Sequence, residues 1–255
     1  MIGHREYAMT EEEWLVCDSP HPMLYHLRPW RRRRRKFRFY ACASFRRQEV
    51  WVRLKVPCKE LLDVSERHAI GLAGSEQFKA AKRAVQKMTA FDRAAHGEWG
   101  PPLYGQALLE YLRLDHLPQW EGPESSSSSR YDYLSEEAIL GRAEMRQRGM
   151  EVITEAMAVR IQSEYVASQN DHLYFLRDIF GNPFRPVVAD PAWLTPTAVS
   201  IASSIYQDRA FDRLPSLADA LEEAGCTHAD VLLHCRTPGE HVRGCWVVDL
   251  VLGKV

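Results

Sequence analysis

Apolar side chains recur along this chain on steps of three and four residues, and wherever that step holds a helix is predicted. Thr10-Glu11-Glu12-Glu13-Trp14-Leu15 has the form of a capping box, in which the Thr10 hydroxyl accepts from an orphan backbone N–H while Glu13 reaches back. A short helix to about Cys17 follows. Asp18-Ser19-Pro20 breaks it, and Pro22 is placed in the first turn of a second helix carrying Met23, Leu24 and Leu27. Phe37, Tyr40, Ala41, Ser44 and Phe45 predict a third helix between Arg31 and about Val52. Pro57 starts a fourth, with Leu61, Leu62, Val64 and His68 on its face, ended near Gly71 to Gly74. Ser75 caps a fifth, in which Phe78, Ala81, Val85, Met88, Phe91 and Ala95 form one stripe.

Past Gly100-Pro101-Pro102, helical steps return from Leu103 to Leu114 and again from Ser135 to about Val166. Between them lies the only low-complexity stretch, Pro118 to Ser129, which ends in five serines. Serine has little to bury, and proline and glycine interrupt any period, so a flexible connection is expected. The expected organisation is an amino-terminal helical region over 9–117, a serine-rich linker or loop over 118–130 and a carboxy-terminal helical region over 131–255. A single domain with a long loop is the alternative.

The last third reads as a helix from Leu173 to Phe180 closed by Gly181-Asn182, then an extended path forced by Pro183 and Pro186. Asp190-Pro191-Ala192-Trp193 is expected to turn, pinned by a buried indole. Thr195-Pro196 opens a helix to about Asp208, Pro215 opens another that Gly225 stops, and Thr227 is expected to cap a short one bearing Val231 to Leu233. A final helix is predicted from about Glu240 to Leu252. The fold class is therefore all-α, a bundle-like set of helices with an irregular proline-rich segment around 181–196.

Composition narrows the setting. No apolar run reaches the roughly 18 residues that a membrane span needs, and the first residues lack a signal-peptide core, so no membrane partner and a cytoplasmic location are expected. Six cysteines in a chain with an ample apolar fraction of 45% are read as free thiols. Charge is uneven: thirteen basic against two acidic residues put +11 into 28–60, and so −12 elsewhere in a chain of net −1. Arg31, Arg32, Arg33, Arg34, Arg35, Lys36 and Arg38 make a candidate surface for nucleic acid or another polyanion. The competing reading is a solvated helix end whose arginine stems cover apolar surface.

Cys226, His228, His234, Cys235, His241 and Cys245 give the one metal-like density along the chain. His234, Cys235, His241 and Cys245 form the candidate zinc set, three or four ligands from two adjacent short helices, although the i, i+4 placement of His241 and Cys245 on one predicted helix argues against it. Against it, no Cys-x2-Cys pair occurs, and buried thiols commonly serve as small apolar fillers. Asp178, Arg185 and Asp190 could line a polar cleft. The sequence holds no nucleophile elbow, phosphate-cradling glycine loop or His-Glu-x-x-His, so no catalytic residue is assigned and no cofactor is required. The function expected is that of a non-catalytic protein-interaction module; polyanion binding through Arg31–Arg38 and a small structural zinc site in 226–245 are the alternatives.

The Thr10–Leu15 start, Tyr40-Ala41-Cys42-Ala43-Ser44-Phe45-Arg46-Arg47, Arg177-Asp178-Ile179-Phe180-Gly181-Asn182-Pro183-Phe184-Arg185-Pro186, Asp190 to Thr195, and His241 to Lys254 together resemble an uncharacterised protein family expanded in large-genome environmental bacteria. The resemblance brackets nearly the whole chain from Met9 and is most specific in its last third. It implies no activity, substrate or catalytic residue. This chain differs from the family pattern in the density of its arginine run and in carrying serines where an alanine- and tryptophan-rich helix often lies.

Overall fold

A computed structural model describes residues 9–27, 34–47, 55–96 and 170–254. Among the described residues there are ten α-helices and no strand. In chain order they are α1 (Glu11–Val16), α2 (Pro20–His26), α3 (Arg34–Arg47), α4 (Val56–Ala69), α5 (Ser75–His96), α6 (170–180), α7 (Pro196–Asp208), α8 (Leu214–Glu223), α9 (Ala229–Arg236) and α10 (Trp246–Val251). No helix among these residues is long and apolar enough to cross a membrane. The predicted helices over 103–114 and 135–166, and the 118–130 connection, lie outside the described residues.

Local signals position several of these elements. The Thr10 capping box forms in both directions, with the Glu13 N–H donating to Thr10 Oγ1 at 3.2 Å and the Thr10 N–H donating to Glu13 Oε2 at 2.7 Å. Thr195 caps α7 by accepting from the Ala198 N–H, and proline enters the first turn of α2, α4, α7 and α8. Two starts shift. Helix α2 begins at Pro20, which the sequence reads as a break, with Ser19 extended at ψ 131° before it and Pro22 in the first turn as expected. Helix α9 is preceded by His228, not Thr227, and that cap makes no side-chain bond.

The larger correction concerns the carboxy terminus. The helix predicted from Glu240 exists only from Trp246 to Val251, and 237–245 is a loop. Gly244 interrupts the longer helix, since it sits at φ +97°, and only glycine fits there because a Cβ would stand 2.6 Å from the Phe39 ring. Segments 191–193 and 211–213 tighten into 3-10 turns, the first capped by Asp190 through the Ala192 N–H at 2.9 Å. Trp193 in that turn is half-buried rather than sealed, packing against the edge of the core.

Three apolar clusters hold these elements. One joins α7 to α10 through Ala202, Ile205, Leu217, Leu221, Val231, Val247 and Val248. A second joins residues far apart in sequence: Trp14, Met23 and Leu27 from α1 and α2, Phe37 and Tyr40 from α3, and Leu176, Ile179 and Phe180 from α6. The opposite face of α3, with Ala41, Cys42 and Phe45, packs on Leu61 and Leu62 of α4 and Val85 of α5. Burial of each large side chain contributes about 1.5–3 kcal/mol, and the second cluster includes residues from both sides of 118–130.

Candidate functional site

Helix α6 is apolar on its inner face except at Asp178, which is only 2% exposed. The last turn of α9 carries His234 towards it. The loop after α9 then returns the chain, bringing His241 beside Asp178 and placing Cys245 at the start of α10. A turn closes this return, with the Cys245 N–H donating to the Val242 carbonyl at 3.0 Å.

One carboxylate, two imidazoles and one thiol thus meet in the interior. One ligand-capable atom from each of Asp178, His234, His241 and Cys245 lies within 4.8 Å of all the others. Asp178 Oδ1 stands 2.6 Å from His241 Nδ1 and 3.2 Å from His234 Nε2. The same His234 Nε2 is 3.1 Å from Cys245 Sγ. The other carboxylate oxygen, Oδ2, accepts from the Val242 N–H at 2.9 Å, which fixes the plane of the group. Aromatic rings flank the cluster: Trp246 lies 5.3 Å from the His234 ring and Tyr174 lies 6.4 Å from the His241 ring, between centroids. Gly181, at φ +65°, lets the Trp246 indole approach closely enough that a Cβ would be 3.1 Å from it.

The electrostatics follow from burial and mutual contact. Burial opposes the charged form of Asp178, but hydrogen bonds from His234 and His241 and their charges outweigh it and hold the carboxyl below its usual range. Burial opposes protonation of His241, yet the bond to Asp178 more than offsets it and raises its affinity for a proton. The Thr237 carbonyl also favours the protonated ring, although Nε2 reaches no partner within hydrogen-bonding geometry. Cys245 is fully buried, and burial together with the Asp178 charge pushes its thiol well above the ordinary value. In this state Cys245 is a neutral thiol.

The sequence-derived zinc set is therefore brought together in three of its four members, His234, His241 and Cys245. Cys235 lies apart. It faces the core among Cys226 and Val231, and burial, then Cys226, raises its thiol to about 12. Asp178 takes the fourth place. It comes from the expected polar cleft, whose other members lie elsewhere: Arg185 is exposed and pairs with Glu11 at 2.6 Å, and Asp190 caps its 3-10 turn.

The basic run is partly internal. Arg35 grips Asp249 with both guanidinium nitrogens, at 2.9 and 2.6 Å, and also donates to the Lys254 carbonyl and the Tyr206 hydroxyl. Lys36 is 3% exposed and donates to the Ile179 carbonyl at 2.7 Å. Arg38 stacks over Phe78 at 4.9 Å. Arg31, Arg32 and Arg33 lie outside the described residues, and Arg34 opens α3. A third buried carboxylate, Glu66, collects Arg209 and Arg243, with Arg46 at 3.6 Å. Neither Asp249 nor Glu66 stands out in the sequence as a charge receptor, because each occupies an ordinary helical position whose partners come from remote segments.

No protein-family model matches the chain, and comparison with curated proteins and with solved structures finds no match either.

Proposed function

We propose that this chain is a non-catalytic helical module that acts by binding another protein, in a reducing compartment such as the cytoplasm. The observation that carries this reading is a set of apolar side chains turned outward on two braced segments. Leu15 and Val16 at the end of α1 are 56% and 80% exposed, and Val188 is 85% exposed. Arg177 donates to the carbonyls of Trp14, Leu15 and Cys17, and Glu11 binds Asn182 and Arg185, so α1 is braced against 177–185. Exposed apolar groups on braced elements favour association, since little ordering entropy opposes it. In contrast, the side chains with the most chemical potential, Asp178, His241 and Cys245, are turned inward onto each other. All six cysteines are free thiols, five of them buried, which agrees with a reducing setting.

The test is quantitative cross-linking in native lysate with the full chain and with Val16→Glu and Val188→Glu. Recovery of a defined partner that falls at least tenfold with either change supports the reading. Equal recovery with wild type and variants overturns it, as does salt-sensitive capture of nucleic acid alone, which would favour the basic run instead.

A further inference from the structure

We propose that Asp178, His234, His241 and Cys245 hold one zinc-class divalent ion as a closed structural centre joining α6, α9 and the start of α10. The inference stands independently of the interaction surface above.

The first support is geometric. Zinc at bonds of about 2.0–2.3 Å in a tetrahedron sets its ligand atoms roughly 3.3–3.7 Å apart. Four ligand atoms already within 4.8 Å of one another need only small side-chain rotations to reach that spacing. The tightest pair, Asp178 Oδ1 and His241 Nδ1 at 2.6 Å, must open by about 0.7 Å to meet it.

The second support is that hydrogen bonding alone cannot use every close contact in the cluster. His234 Nε2 faces both Asp178 Oδ1 and Cys245 Sγ. Carrying a proton, Nε2 can donate to the carboxylate, but then it cannot accept the thiol proton. Without one, it accepts from the thiol but directs its lone pair at an anionic oxygen. Oδ1 is at the same time the acceptor for His241. A central cation would engage all four, because each atom then directs a lone pair at one positive charge. One carboxylate, one thiolate and two neutral imidazoles carry −2 in total, which a divalent ion neutralises in a place where charge is otherwise costly to bury. Binding releases the Cys245 thiol proton to solvent, and His241, as a neutral imidazole, carries its one proton on Nε2 and leaves Nδ1 free for the metal.

The surroundings fit a ligand set. The Val242 N–H holds the second oxygen of Asp178, leaving Oδ1 directed into the cluster, and Trp246 packs on His234. Nitrogen and sulfur donors with one carboxylate select the zinc class over calcium or magnesium, which take oxygen ligands. Four protein ligands, three of them buried, leave no open coordination position, so the centre is structural rather than catalytic.

The experiment is a cobalt titration of the tag-free, chelator-treated full chain, with elemental analysis of protein purified from zinc-supplemented cells. About one equivalent should saturate the visible bands of tetrahedral cobalt together with a near-ultraviolet thiolate-to-cobalt band. Cys245→Ser should remove the near-ultraviolet band, and Asp178→Asn should weaken binding at least about tenfold, the scale seen even for groups one shell further out. Cys235→Ala should behave as the wild type. Background zinc with no tetrahedral cobalt spectrum overturns the proposal, and so does loss of the thiolate band in Cys235→Ala rather than in Cys245→Ser. If Cys245→Ser does not fold, the wild-type spectrum and Asp178→Asn still decide.

Discussion

Asp249→Asn should be among the most destabilising isosteric changes in this chain. Asp249 is fully buried and binds Arg35 through both oxygens, with Lys36 Nζ a further 3.9 Å from Oδ2. The amide keeps the shape and can still accept one hydrogen bond, but it leaves a guanidinium and an ammonium without their shared counter-charge. Removing one partner of a buried pair costs about 3–5 kcal/mol. Arg35 is 23% exposed, so water reaches part of it and the lower end, about 3 kcal/mol, applies. With a urea slope of about 3 kcal/mol per molar, the midpoint should fall by about 1 M, read by far-ultraviolet circular dichroism. A double-mutant cycle with Arg35→Met isolates the pair, and a coupling of about 2 kcal/mol is expected. A midpoint shift under about 0.3 M, or additivity within about 0.5 kcal/mol, would refute the argument that this pair holds α3 to α10.

Two further outcomes follow from the same packing. Gly244→Ala should cost about 2–4 kcal/mol, because the new methyl meets the Phe39 ring and the residue needs φ +97°; thermal melting unchanged from the wild type would contradict it. His26 stacks on Phe184 at 4.7 Å, and burial lowers its pKa below the ordinary 6.5. The unfolded chain then binds the proton more readily, so this residue has no pH-dependent effect on stability above about pH 6.5 and destabilises the fold increasingly as pH falls below that value. A His26→Gln variant should lose less stability than the wild type between pH 7 and 5, and an imidazole titration midpoint at or above 6.5 would exclude the effect.

The helices themselves were legible because their causes are local. The capping box at Thr10, the prolines in the first turns at 196 and 215, and the glycine at 225 act within one turn of where they sit, so the sequence places those ends closely. The same locality explains the main error. The step from Val242 to Cys245 to Trp246 suits a helix on paper, whereas the requirement that Gly244 pass under Phe39, some two hundred positions away, turns that stretch into a loop. The candidate site divides in the same way. His234, His241 and Cys245 are visible as a local density of imidazole and thiol, but choosing between Cys235 and Asp178 requires knowing which face of α9 meets α6.

Helix content, the basic run and the carboxy-terminal cluster of metal-capable residues are thus properties of the sequence alone, since each depends on neighbours within a few positions. Tertiary structure decided the rest. Asp178 became the fourth member of the cluster, Asp249 and Glu66 became receptors for remote arginines, and Arg35 and Lys36 turned inward. Each of those outcomes pairs groups far apart along the chain, and a buried charge takes whichever partner the packing of α3, α6 and α10 delivers.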